Sequence, residues 1–292
     1  MVAVVTQPDR PAGRGRRLTP SPVKALAQEE GIPVLTPERP RGDAFLEELR
    51  ALKPDLSVVV AYGHILRPEV LDLPPLGSVN IHASLLPELR GAAPINWAVA
   101  RGHTEAGVTI MRMTPGMDEG PILLQADTAI GDEESASELY DRLSELGAAA
   151  IVEALAMMSA GLIEPREQDH EAATYAPKLD RESARVDWTL EAPRVSDWIR
   201  GMDSVPGAWS TLDDEPLKLF RSRVAEPSDE DRLREEEAAP GTIVGADPRE
   251  GLQVACGSGT VLIREVQPQG RRRMEAGAWM AGQDVVVGRR FR

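Results

Sequence analysis

Apolar residues along this chain follow two rhythms, and the change between them falls near residue 163. Before it, short β-branched runs alternate with helically spaced stretches. Residues 2–5, "IPVLTP", "LSVVVAYG" and "GVTIMRM" read as strands, the first closed by the turn signal Gln7-Pro8-Asp9. "VKALAQEEG", ending at Gly31, and "AFLEELRALKP", stopping before Pro54, have the spacing of amphipathic helices. Strands alternating with helices of about ten residues predict a parallel sheet built from βαβ units. "LSVVVAYG" is continuously apolar, which predicts a strand covered on both faces.

A helix is expected over residues 93–101, and a long one begins near Ser135, whose spacing to Glu138 makes a capping box. Leu139, Leu143, Leu146 and Ile151 lie along one face of it. The Pro- and Gly-rich stretch "DRPAGRGRRLTPSP" is expected to be a long loop. Beyond residue 163 periodicity fades into a linker. After a helix over residues 191–201 come "LKLFRS", "GTIVGA", "GLQVAC" and "TVLIREV", the pattern of a small β-barrel or sandwich. The acidic insertion "EPSDEDRLREEE" reads as a solvated loop, and no internal repeat is evident. The chain thus divides into an α/β domain over residues 1–163, a linker over 164–183 and a β-rich domain over 184–292.

Composition narrows the class. With 292 residues, 42% hydrophobic and 27% charged, the chain can bury a substantial core and is neither disordered nor fibrous. The single cysteine, Cys256, cannot form an internal disulfide and fits a reducing compartment. The longest apolar run is too short to span a bilayer, and no signal peptide is visible, so a cytoplasmic location away from membranes is expected. The net charge of -14 argues against a generic nucleic-acid binder. It also makes local reversals conspicuous. Arg10, Arg14, Arg16, Arg17 and Lys24 crowd one loop; Arg271, Arg272 and Arg273, then Arg289, Arg290 and Arg292, crowd the end. Each run alone reads as solvated surface, but two of them on two domains fit a bound polyanion.

Candidate chemistry centres on "SVNIHASLLPELRGAAPINW". On a strand, Asn80 and His82 face the same side. At the carboxyl end of a parallel strand that side is where open α/β sheets place ligands. An amide beside an imidazole can donate two hydrogen bonds to a tetrahedral oxyanion. From spacing alone, a satisfied, half-buried histidine next to a turn asparagine is the more ordinary reading. Asp118, in the Gly-rich "PGMDEG" loop, could favour protonated His82, and neighbouring Glu119 could serve instead. No G-x-S-x-G surrounds Ser84. His64, His82, His103 and His170 lack zinc-site spacing, and no phosphate-cradling loop is present.

"NIHASLLPELRGAAPINWAV" together with "GVTIMRMTPGMDEGPIL" resembles the methionyl-tRNA formyltransferase family. The likeness continues through "TQPDRPAGRGRRLTPSPVKALA", "VVVAYGHILRPEVL" and "TYAPKLDRESARVDW" into the β-rich end. It implies a Rossmann-like formyltransferase domain with a parallel sheet, followed by an OB-like C-terminal β-barrel. It implies 10-formyltetrahydrofolate as co-substrate, methionyl initiator tRNA as acceptor, no metal and a monomer. Asn80, His82 and Asp118 would be the catalytic trio. Ala61, Tyr62, Gly63, Ile65 and Leu66, with Ser84, Leu85, Leu86 and Pro87, would line the folate site. Arg10, Arg14, Arg16, Arg17, Arg271, Arg272 and Arg273 would contact tRNA.

Two departures stand out. The family carries a further strand, turn and helix at its front; without them residues 2–5 and the strand near residue 57 would lack a shared neighbour. Either the coding sequence extends upstream of Met1, or the chain is a truncated tRNA-binding remnant with impaired catalysis. "GMDSVPGAW" also replaces the family's Phe-Asn-Pro-Trp. A folate-dependent formyltransferase for a small amine is the remaining alternative.

Overall fold

Val4–Val5 and Val34–Leu35 pair in parallel, as do Ser57–Val59 and the first three residues of Ser78–His82. These are the pairings that helical crossovers produce. The helix Pro22–Glu29 lies in the first crossover and the short helix Pro68–Leu71 in the second, while Asp43–Leu52 connects Val34–Leu35 to Ser57–Val59. Ser21 caps Pro22–Glu29, its Oγ accepting from the backbone N–H of Lys24. The computed structural model describes residues 1–12, 15, 17–226, 238–283 and 286–292. Arg14, Arg16 and nearly all of the acidic insertion lie outside the described residues.

Two compact units partition the chain: Met1–His82, Thr109–Gln125 and Ala149–Glu171 form one, and Ala83–Val108, Ala126–Ala148 and Ala172–Arg292 form the other. In the first, Phe45, Leu46 and Val70 bury a small core with Val5, Leu35, Leu49 and Leu66 packed against it. The larger sheet runs Ser57–Val59, Ser78–His82, Glu105–Arg112, Ile122–Ala129. Its central pairing, Asn80 opposite Met111 and His82 opposite Thr109, is antiparallel, so the sheet is mixed. The chain after His82, which includes the short helix Pro94–Ala100, therefore rejoins the sheet at the end where His82 left it.

Three sequence expectations change here. "LSVVVAYG" contributes the three-residue strand Ser57–Val59, with Val58 43% and Val60 55% exposed, rather than a strand covered on both faces. It is the edge of its sheet, and Val4–Val5 pairs within a separate sheet, so the two have no common neighbour among the described residues. The Pro- and Gly-rich loop contains a short hairpin, Arg10–Ala12 against Arg17–Thr19. The stretch from residue 164 to 183 is hydrogen-bonded rather than free. Arg166 exchanges backbone hydrogen bonds with Ile122, and Tyr175–Ala176 pairs with Arg90–Gly91.

The long helix Ala136–Ser159 starts at the capping box read from sequence. Ser135 Oγ accepts from the backbone N–H of Glu138 at 3.3 Å, while Glu138 Oε2 accepts from the backbone N–H of Ser135 at 2.9 Å. Leu139, Leu143 and Ile151 are buried on its inner face.

In the second unit an antiparallel sheet runs Trp209–Leu212, Glu215–Val224, Thr260–Pro268, Gly251–Ala255, Ile243–Asp247, with Met274–Glu275 paired to Thr260–Pro268. Its inward positions, among them Leu217, Leu219, Val261, Ile263, Leu252 and Val254, form one core with Val195 and Ile199 of the helix Ala192–Gly201. Trp188 stacks on Phe291 at 5.3 Å, and its indole N–H donates to Ser210 Oγ at 3.0 Å.

Candidate active site

His82 is the last residue of its strand and 6% exposed; Asn80, half-buried, stands two positions earlier on the same face. The amide of Asn80 donates one N–H to the Val59 carbonyl at 3.1 Å, which fixes its plane and leaves its second N–H for another acceptor.

Asp118 comes to this strand end from the loop after Glu105–Arg112. The backbone N–H of Arg112 donates to the Pro121 carbonyl at 2.9 Å and closes the loop at its base. Gly120 lies just inside that closure, where an added Cβ would collide with the Arg112 carbonyl oxygen, so a side chain there would prise the base open. Asp118 itself adopts φ 52°, a left-handed conformation that aspartate tolerates better than most residues. Its Oδ2 lies 3.7 Å from His82 Nδ1.

The carbonyls of Asp118 and Gly120 both accept from the side-chain amide of Gln168, at 2.9 Å and 2.8 Å. Gln168 is buried, two residues beyond the Arg166–Ile122 bridge. Nothing in the sequence marks it: it sits in a polar stretch without periodicity, far along the chain from both partners.

The segment expected to meet folate follows the edge strand. Ala61 and Gly63 have φ 42° and 77°, so the chain turns sharply between them. Gln7 Nε2 donates to the Tyr62 carbonyl at 3.0 Å, and a Cβ on Gly63 would meet that same nitrogen at 2.9 Å. The Tyr62 hydroxyl is buried with no hydrogen-bond partner among the described residues, and burial raises its pKa, so it remains a neutral donor. An orphaned donor on a strained turn fits a segment that receives a polar ligand. Ile65 is 91% exposed, whereas Leu66 packs on the Phe45 core. On the segment following His82, Ser84 and Leu86 are buried; Ser84 Oγ donates to the Glu88 carbonyl at 2.6 Å. Leu85 packs where a Cβ on Gly107 would fall, and Pro87 is half-buried.

Among the basic residues, Arg10 and Arg17 are exposed on the hairpin, and Arg271 and Arg272 are exposed at a turn. Arg271 borders a cavity of about 360 Å³ together with Trp279, Asp213 and Arg289. Arg273 is engaged internally: it pairs with Asp203 at 2.9 Å and with Glu265, its guanidinium 4.1 Å from the centre of the Phe220 ring. Among the described residues no cluster of His, Cys, Asp and Glu could hold a metal, and no helix is long and apolar enough to cross a membrane.

A mixed sheet that gathers an amide, an imidazole and a carboxylate at one strand end, followed by an antiparallel C-terminal module, defines an α/β transferase acting at a carbonyl carbon. Residues 1–155 match the Formyl transferase family, and residues 178–284 match the Formyl transferase C-terminal domain. The chain is 47% identical over 291 residues to the methionyl-tRNA formyltransferase of Geobacter sulfurreducens, covering 100% of this chain and 89% of that protein. It is 45% identical over 288 residues to that of Geotalea daltonii, covering 99% and 89%. The chain belongs to the methionyl-tRNA formyltransferase family. Among solved structures, HypX from Aquifex aeolicus in complex with tetrahydrofolic acid shares the fold with a TM-score of 0.66 at 19% identity; the match covers 99% of this chain and 51% of HypX, so the chain spans about half of that protein.

Proposed function

We propose that this chain transfers the formyl group of 10-formyltetrahydrofolate to the α-amino group of methionyl initiator tRNA, as a cytoplasmic monomer acting in translation initiation. The observation that carries the reading is the convergence of Asn80, His82 and Asp118 at one strand end. Attack of the amine nitrogen on the formyl carbon forms a new C–N bond and moves the carbonyl electron pair onto oxygen. Asn80, through its spare N–H, and protonated His82 hold that oxyanion. Asp118 orients His82 and helps take the amine proton. Collapse re-forms the carbonyl and breaks the bond to N10 of the folate, which leaves carrying a proton as tetrahydrofolate.

Ala61, Tyr62, Gly63, Ile65 and Leu66 are assigned to folate recognition, as are Ser84, Leu85, Leu86 and Pro87 on their own segment. Arg10, Arg14, Arg16 and Arg17, with Arg271 and Arg272, are assigned to the tRNA backbone. Arg273 keeps that assignment through its exposed portion, its guanidinium being shared with Asp203. The domain limits 1–163, 164–183 and 184–292 stand as part of the same proposal.

The test is formation of formylmethionyl-tRNA from 10-formyltetrahydrofolate and methionyl initiator tRNA by the chain. Product formed at the rate of a multiple-turnover enzyme, and inhibited by uncharged initiator tRNA, supports the reading. No product overturns it for this chain.

A further inference from the structure

We infer that Gln168 is a positioning residue for Asp118 and thereby holds its carboxylate against His82; the inference rests on the function proposed above. Asp118 holds a left-handed φ of 52° within a loop whose own closure, Arg112 to Pro121, lies at its base. That conformation is strained for a residue with a side chain and persists where the surroundings impose it. Gln168 imposes it. Both N–H bonds of one amide nitrogen are spent on the carbonyls of Asp118 and Gly120, so the Asp118–Glu119 and Gly120–Pro121 peptide units are held as a pair. The side chain is 5% exposed, and its backbone is anchored two residues earlier by the reciprocal Arg166–Ile122 hydrogen bonds. The clamp is therefore stiff at both ends. Rotating the Asp118 peptide would break the clamp and swing Oδ2 away from the imidazole 3.7 Å distant.

The discriminating variant is Gln168→Met, which fills nearly the same volume and donates nothing. Turnover should fall about 10- to 100-fold, the range that misplacement of a reacting group produces, with KM for tRNA and folate within about twofold. In an Asp118→Asn background the same substitution should change kcat by less than about twofold, because a residue acting through Asp118 has nothing left to position. An unchanged kcat in Gln168→Met overturns the inference, as does an equal loss in the Asp118→Asn background.

The ring-proton chemical shifts of His82 supply a readout independent of turnover. They should move in Gln168→Met in the direction that Asp118→Asn moves them. If the unmutated chain makes no product, the functional reading fails while the shifts still decide the role of Gln168. Shifts identical to the unmutated protein would overturn it.

Discussion

His82 Nδ1 and Asp118 Oδ2 lie 3.7 Å apart, brought together by one antiparallel strand pairing and one closed loop. His82 sits opposite Thr109, and the strand carrying Thr109 runs on to Arg112, whose N–H closes the loop that presents Asp118. Replacing Asp118 by Asn keeps the shape and removes the carboxylate beside the imidazole. Turnover should drop by about 10²- to 10⁴-fold, the contribution typical of a positioned acid–base group. Single-turnover formyl transfer measures it; a loss confined to KM would contradict the role.

Asn80→Ala removes one oxyanion donor and should cost about 10²- to 10³-fold in kcat. Near-normal turnover would remove Asn80 from the mechanism. The substitution also leaves the Val59 carbonyl without its side-chain donor, so a thermal melt should accompany the kinetics.

Gly120→Ala places a methyl group against the Arg112 carbonyl oxygen at the base of the Asp118 loop. Destabilisation of about 1–3 kcal/mol is expected, together with a fall in kcat, because relief of the clash moves the loop. Urea unfolding monitored beside activity checks both, and full stability with full activity would contradict the closed-base geometry.

The arginines at the C-terminal turn should separate into two kinds. Arg273→Ala strands the carboxylate of Asp203, which is 5% exposed, and should cost about 2–4 kcal/mol of stability. Replacing Arg271 and Arg272 with Ala together should leave stability within about 0.5 kcal/mol. It should also flatten the dependence of tRNA affinity on log salt by about one unit for each phosphate those arginines neutralise. Filter-binding titrations at several salt concentrations read the second effect, and an unchanged slope would take these residues out of the tRNA interface.

Ser135→Ala removes the N-cap of the long helix and should destabilise it by about 1 kcal/mol at neutral pH. Hydrogen bonds from the Ser135 backbone and hydroxyl hold Glu138 below its ordinary pKa. A lowered folded-state pKa adds stability above the unfolded value, and that stability disappears as pH falls through the folded value. The gap between Ser135→Ala and the unmutated protein should therefore be widest at neutral pH and narrow in acid, below the ordinary glutamate range. Unfolding midpoints at several pH values test this, and a gap independent of pH would assign the whole effect to capping of the Glu138 backbone N–H.

Local rules were enough for much of this molecule. Asn80 and His82 share a face because strand side chains repeat every second residue. Ser135 and Glu138 cap each other because helix geometry brings those positions together. The inward positions of the C-terminal strands follow from alternation, and the trio proposed as catalytic could be singled out because these patterns coincide with a family's motif. Other features depend on neighbours that no local pattern specifies. Val58 and Val60 are apolar in a run that reads as doubly covered, yet both are exposed, Val58 on the edge strand Ser57–Val59 and Val60 just beyond it. Arg273 belongs to a basic run, yet a buried carboxylate seventy residues away in sequence takes its charge.

Short-range periodicity and motif spacing directly encode the order of helices and strands, the chemical groups available for catalysis and the family to which they belong. Those features were legible before any fold was known. Folding in three dimensions was needed to establish that the strand after His82 returns antiparallel, that Asp118 reaches the imidazole, and that Gln168 clamps the loop carrying it. Each of those contacts joins residues far apart in the chain, and their partners are selected by packing and hydrogen-bond satisfaction after the elements have formed.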